Sequence, residues 1–226
     1  MDWQRIPTIN AARVSLRPFI ENDKDSIYAI YSDPEVMRYW GSLPMKDPLE
    51  AKDFLAEILE DLRSRRCIQW GIARRTDDRV IGTIAFFYLD FVARKAELGF
   101  ALGRAHWGMG YMHEALQAAI GYAVNEMDLR RLEADVDPRN LPSIRLLERL
   151  GFQKEGYLRE RWLVLGESQD SVLYGLLRKD WKTPGATYEV IPPPDSPKYA
   201  SNTTVSRIAR SRLRRWAAAI LSMVPE

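Results

Sequence analysis

Apolar residues in this chain recur at helical spacing in some segments and at every second position in others, and the switches between the two spacings lay out its elements. "RVSLRPF" (13–19) alternates and ends at a proline, which predicts a first strand. "NDKDSIYAIYSDPEVMRYW" shows helical spacing at Ile27, Ile30 and Tyr31 until Pro34 breaks it. In "DPLEAKDFLAEILEDLRSR" (47–65), Phe54, Leu55, Ile58, Leu59 and Leu62 form one stripe, with Asp47 placed to cap the helix and Pro48 at its first position. The period then drops to two. "IQWGIARR" (68–75), "RVIGTIAFFYLD" (79–90) and "RKAELGFAL" (94–102), joined by short polar turns such as "TDD", predict an antiparallel meander. A helix from about 110 to 127, a strand at 130–137, a short helix ending on Gly151 and two strands around 157–165 and 170–178 complete the pattern near Trp181.

Past Trp181 the composition changes. "KTPGATYEVIPPPDSPKYASNTT" is rich in proline and turn residues and reads as an extended linker. In "VSRIARSRLRRWAAAILSMV" the apolar positions Val205, Ile208, Leu213, Trp216, Ile220 and Met223 share one helical arc, opposite Arg207, Arg210, Arg214 and Arg215. The expected division is therefore a domain over 1–182, a linker over 183–204 and a basic amphipathic helix over 205–226. Net charge is only +2, and the last segment carries +4 of it, so the body is slightly acidic and no specific nucleic-acid partner is expected. The tail is suited to docking on protein or lying on an anionic membrane surface.

Cys67 is the only cysteine, and His106 and His113 are the only histidines, so neither an internal disulfide nor a metal centre is expected. The N-terminal residues hold no signal-like apolar run, and no stretch reaches the roughly 18 apolar residues of a spanning helix. These features predict a soluble cytoplasmic protein. The histidines read as loop and helix-surface residues, Cys67 as a packed small side chain, and the aromatics Trp70, Phe87, Tyr88 and Trp162 as core.

"RAHWGMGYMHEAL" (104–116) places Gly108 and Gly110 just ahead of a helix. A helix N-terminus exposes unpaired N–H groups and a partial positive charge, and glycines let the backbone approach an anion closely. By itself the spacing fits a tight turn as well as a phosphate site. Its setting adds more. "AELGF", "WGMGYMHEAL", "LEADVDPRNLPSIRLLERLGF" and the "G-E…D…LYGLL" ending occur in the order and spacing of the GNAT superfamily of acyl-CoA-dependent N-acetyltransferases. With "VSLRPF" and "SDPEVMRYW", the chain most resembles the RimJ/RimL-type branch over roughly residues 10–182.

The resemblance implies an α/β (α+β) GNAT fold: a mixed, mostly antiparallel sheet of about six to seven strands flanked by helices and splayed between the fourth and fifth strands. It implies acetyl-CoA as cosubstrate and no metal. By position, the diphosphate would lie on the amides of Trp107, Gly108, Met109, Gly110 and Tyr111, with Met112 adjoining. Phe100 and Leu102 would border the pantetheine arm, and Asn140 would contact its amides or cap the helix after it. Such enzymes often carry Gln or Arg three positions before the first glycine, where this chain has Ala105. They often carry a tyrosine acid where this chain has Leu147, which leaves Ser143 as the expected proton donor.

A base is needed to take the ammonium proton. Glu97 stands where many of these enzymes carry one, and Glu160 on the closing strands is the second candidate. Tyr39 and Trp40, on the link between the first two helices, are expected at the acceptor. The implied activity is acetyl transfer to a primary amine, either the α-amine of a protein or peptide or a small amine, polyamine or antibiotic-like compound. A non-catalytic CoA-binding module is the alternative of a different class, and a homodimer is left open.

Overall fold

The structure is a computed structural model that describes residues 6–64, 66–164, 166–182 and 188–193; the segment expected as a basic helix at 205–226 lies outside them. Among the described residues nine strands form one sheet. They are β1 (Thr8–Asn10), β2 (Val14–Arg17), β3 (Cys67–Arg74), β4 (Val80–Asp90), β5 (Lys95–Leu102), β6 (Arg131–Val136), β7 (Gln153–Val164), β8 (Glu167–Leu177) and β9 (Glu189–Ile191). Their spatial order is β7-β8-β6-β5-β4-β3-β2-β1-β9. Every neighbouring pair is antiparallel except β5 and β6.

The helices are α1 (Lys24–Tyr31), α2 (Pro34–Met37), α3 (Pro48–Arg63), α4 (Tyr111–Asn125) and α5 (Leu141–Arg149). Local chemistry sets their ends. Asp47 accepts from the Leu49 amide and forms a capping box with Glu50, while Pro48 opens α3, as the pattern predicts. Pro34 both ends the first helical stretch and begins α2, whose cap Asp33 accepts from the Glu35 amide. α5 stops at Gly151 (φ 91°), where Gly151 and Phe152 donate to the carbonyls of Glu148 and Leu147 in a Schellman arrangement.

Two apolar clusters hold the layers together. Ile27, Ile30, Tyr31, Leu55 and Ile58 pack from α1 and α3 against Phe19, Ala73, Val80 and Ala101. Trp70, Ile84, Phe86 and Leu98 of the sheet pack with Leu116, Ile120 and Ala123 of α4 and Leu147 of α5. α4 has buried residues all round its second half, from Ala118 to Val124, so it is a core element rather than a surface one. Cys67 is buried, and burial pushes its thiol well up, in keeping with a packing role. Among the described residues no helix is long and apolar enough to cross a membrane.

The seven strands expected from the alternation correspond to β2–β8. The two additional strands are three residues each, too short for alternation to show. β9 falls in the segment read as linker and pairs with β1. Just before it, Tyr188 accepts a hydrogen bond from Asn125 Nδ2 (2.9 Å), and its ring covers Gly121 of α4.

Candidate active site

The site begins where two strands part. β5 and β6 pair only through Lys95, Ala96 and Glu97, opposite Arg131, Leu132 and Glu133, and then separate. On its other edge β5 stays paired with β4 through Leu102. The Gly103 amide donates to the Ile81 carbonyl (2.8 Å), which fixes the alternation: the backbone groups of residues 97, 99 and 101 face β4. Those of Leu98, Phe100 and Leu102 therefore face the widening gap. This is the splay expected between the fourth and fifth strands of the pattern.

At the end of β5 the chain makes a single 3₁₀ turn over Arg104–His106 and enters the glycine loop. Gly108 (φ 74°) and Gly110 (φ 78°) both adopt the left-handed conformation, and nothing lies within 4 Å of where a Cβ on Gly108 would stand. Gly110 caps α4 without a side-chain hydrogen bond, so the first-turn amides of α4 keep their donor capacity. The loop is exposed, with Trp107 at 47% and Met109 at 54% of full accessibility.

The splay opens into a cavity of about 190 Å³. Tyr39, Trp40 and Gly41 reach it from the link after α2, Phe87 and Tyr88 from β4, Glu97 to Phe100 from β5, and Asp135 and Asp137 from β6 and the residue just past it. Asn140 and Ser143 enter from the start of α5, and Trp162, Gln169 and Asp170 from β7 and β8. Among the described residues four carboxylates line it and no lysine or arginine does. Three of the four are committed. Asp135 accepts from Ser171 Oγ and from Arg161 Nε (3.0 Å). Asp137 accepts from the Arg139 amide (2.8 Å) and pairs with its guanidinium. Asp170 accepts from the Tyr157 hydroxyl (2.5 Å) and the Glu160 amide (2.8 Å).

Glu97 differs. Among the described residues no hydrogen bond or ion pair reaches its carboxylate. Burial, together with the charges of Asp135 and Glu133, pushes its pKa up from 4.5 to about 7, against the smaller opposing pull of Arg161 and Lys95. A carboxylate held near neutrality and facing a cavity is suited to proton transfer.

The model of the "Acetyltransferase (GNAT) domain" matches residues 13–153. The chain belongs to the GNAT acetyltransferase family. It is an N-acetyltransferase, and GNAT acetyltransferases use acetyl-CoA. It is 37% identical over 174 residues to "Uncharacterized N-acetyltransferase p20" of Bacillus licheniformis, covering 77% of this chain and 98% of that one. It is 44% identical over 88 residues to the "[Ribosomal protein uS5]-alanine N-acetyltransferase" of Escherichia coli, covering 39% of this chain and 45% of that one. The fold matches that of spermidine N-acetyltransferase from Vibrio cholerae, solved with CoA and spermine, at a TM-score of 0.66 and 20% identity over 74% of this chain and 97% of that one.

Most of the expected residues meet in this acetyltransferase. Glu97, Phe100, Asn140, Ser143, Tyr39 and Trp40 share one cavity, and Gly108, Met109, Gly110, Tyr111 and Met112 form the loop and first turn of α4. Asn140 does cap α5, accepting from the Ser143 amide (3.3 Å), yet it also lines the cavity. Its carbonyl oxygen makes the cap, so its NH₂ group is left to face the cavity.

Three expectations are corrected. Glu160, the second candidate base, does not line the cavity; the register of β7 and β8 shifts between Leu158 and Trp162, Glu160 takes φ 51°, and its side chain is exposed. Trp107 is not an open amide: its N–H donates to the Arg104 carbonyl (3.2 Å), so the donor run begins at Gly108. Its indole N–H donates to the Leu102 carbonyl (2.7 Å). Phe87, Tyr88 and Trp162, read as core, are cavity walls. The β4 pairing shifts after Phe87 and Tyr88 takes φ 47°, which breaks the alternation that places aromatics inward. Trp70 is core as read, with its indole on the Pro7 carbonyl (2.9 Å).

Asp135, Asp137 and Asp170 went unmarked in the sequence. "LEADVD" does alternate, with Glu133, Asp135 and Asp137 on one face and Leu132, Ala134 and Val136 on the other. That signal announces a polar face without saying that it borders a cavity.

Proposed function

We propose that this acetyltransferase transfers an acetyl group from acetyl-CoA directly to a primary amine, with Glu97 as the general base. The observation that carries the reading is the Glu97 carboxylate: uncommitted, held near neutral pKa, and facing the cavity into which the splay opens. The chain fits the cosubstrate. The amides from Gly108 onward and the N-terminus of α4 suit a diphosphate, and the open space over Gly108 is what a close-lying anion requires. The gap-facing backbone of Leu98 and Phe100 and the NH₂ group of Asn140 suit an amide-bearing arm.

Acetyl-CoA supplies the activated acetyl group and a thiol of ordinary pKa about 8.5, a tolerable leaving group near neutrality. Glu97 takes a proton from the acceptor ammonium, directly or through water, which frees the nitrogen lone pair. The backbone N–H of Phe100 is placed to stabilise charge on the acetyl oxygen. Ser143 Oγ, in the same cavity, is the candidate proton donor to the departing sulfur.

For the acceptor, we favour the α-amine of a protein or peptide, entering past Tyr39 and Trp40; the uS5-alanine acetyltransferase supports this by the name of its substrate. The cavity carboxylates and aromatic walls support a second reading, a small amine with more than one positive charge. A thiol-release assay with acetyl-CoA across peptides of varied N-terminus, polyamines and small monoamines separates them, with Glu97→Gln as control. Release with one class, lost in the variant, supports both base and acceptor. Acetyl-CoA binding without release on any acceptor returns the CoA-binding module.

A further inference from the structure

The loop that would hold the diphosphate has Ala105 at the position where such enzymes often carry Gln or Arg, yet an arginine from far away in the sequence sits against it. Arg13 immediately precedes β2. Its Nη1 donates to the Met109 carbonyl in the glycine loop (3.0 Å), and its Nε donates to Glu114 Oε2 in the first turn of α4 (2.7 Å). Its own amide donates to Glu114 Oε1 (2.5 Å), as does that of Val14 (3.3 Å). The guanidinium carbon stands 4.8 Å from the Tyr111 ring centroid. Nη2 lies 3.3 Å from where a Cβ on Gly110 would be, and no described acceptor reaches it.

We propose that Arg13 is the basic group of the diphosphate site: it sets the loop's orientation through Met109 and fixes a positive charge beside the amides that would hold the anion. This rests on the acetyl-CoA reading above. A trans peptide points its C=O and N–H in opposite directions. By holding the Met109 carbonyl, Arg13 turns the Gly110 N–H to the other side, among the amides from Gly108 onward. Glu114 would otherwise place an unneutralised carboxylate at the end of the helix that attracts the anion, and Arg13 offsets that charge while tying it to β2. The guanidinium remains charged at any assay pH, and its fork geometry lets it hold a carbonyl and a carboxylate together.

The test is calorimetric binding of acetyl-CoA and of S-acetyl-pantetheine, which has the arm but no diphosphate, with Tm recorded for each variant. Arg13→Ala is expected to weaken acetyl-CoA by about 10-fold or more and S-acetyl-pantetheine by less than about twofold. Arg13→Lys, which keeps the charge but not the fork, falls between wild type and Arg13→Ala and carries the test if Arg13→Ala does not fold. Adding Glu114→Gln to Arg13→Ala recovers part of the loss, because the exposed carboxylate no longer repels the diphosphate. Equal weakening of both ligands, or less than about twofold loss for acetyl-CoA, overturns the proposal and leaves Arg13 a structural staple. Failure of the wild-type protein to bind acetyl-CoA at all overturns the underlying reading instead.

Discussion

The two ends of the splay are built by opposite means. The loop end is made of consecutive residues, 108–112, offering their backbone, and its charge comes from a helix terminus with Arg13 against it. The end proposed for the acceptor is made, among the described residues, of seven separate stretches, and its charge comes from carboxylates. One end suits a polyanion and the other a cation, as a reaction joining an acyl-CoA to an ammonium requires. The contrast teaches where each kind of evolutionary change acts. On the function proposed above, a change in the loop should alter cosubstrate binding, whereas a change at the far end should alter which amine is taken and at what pH.

The sharpest way to break that contrast is Glu97→Gln. With the proposed base gone, kcat is expected to fall about 100-fold or more while acetyl-CoA affinity is unchanged, measured by thiol release and calorimetry. The wild-type rate should rise with pH through about 7 as Glu97 ionises, and this limb should be absent in the variant. The same substitution has a stability signature. The fold raises the pKa of Glu97, so the stability that its protonated form contributes is present below about 4.5 and is lost as pH rises through about 7. Glu97→Gln should therefore raise Tm at pH 8 by about 3 °C or more and leave it nearly unchanged at pH 5. A Tm gain that does not depend on pH would remove the electrostatic account of the cavity.

At the loop end the expected effect is smaller and falls on binding. Gly108→Val forces a β-branched side chain into φ 74° and places it on the anion face. Acetyl-CoA affinity should drop about 10-fold, with about 1–2 kcal/mol lost from stability in denaturant titration. If kcat falls and affinity holds, the two ends are not separable as described.

Smaller again is Asp135→Asn, which removes the charge named after burial as raising Glu97 and frees Arg161 to act on it. Both changes favour the ionised carboxylate, so the rising limb of the rate profile should move to lower pH; movement the other way would refute the coupling. The least effect is expected at Gly121→Ala. Alanine in a helix ordinarily stabilises by about 1 kcal/mol, but here its Cβ would meet the Tyr188 ring at 2.5 Å. A loss of about 1 kcal/mol, reversed when Tyr188→Ala is added, would show that the segment before β9 is seated on α4.

Much of this was legible in the chain because the signals are local. The cap and proline at 47 and 48, the glycine after α5 and the alternation of β2–β8 each depend on residues a few positions apart. The glycine loop and Glu97 were legible for the same reason, each carried by a short motif. Glu160 was misplaced because it sits in a register shift, where the four steps from Leu158 to Trp162 face only two from Ser171 to Gln169, and no spacing rule shows a bulge in advance. Phe87 and Tyr88 were taken for core for that reason too.

By itself, then, the sequence determined the elements, their ends, the phosphate-suited loop and the candidate base, since hydrophobic period, capping and glycine conformation act over one or two turns of chain. Only the tertiary structure decided that Asp135, Asp137 and Asp170 share a cavity with Glu97, and that Arg13 reaches a loop 96 residues away. Those contacts depend on strand order and register, and the pKa of Glu97 depends on charges and burial supplied by other strands. Such groups affect one another through space at a few ångströms, a distance that separation along the chain does not encode.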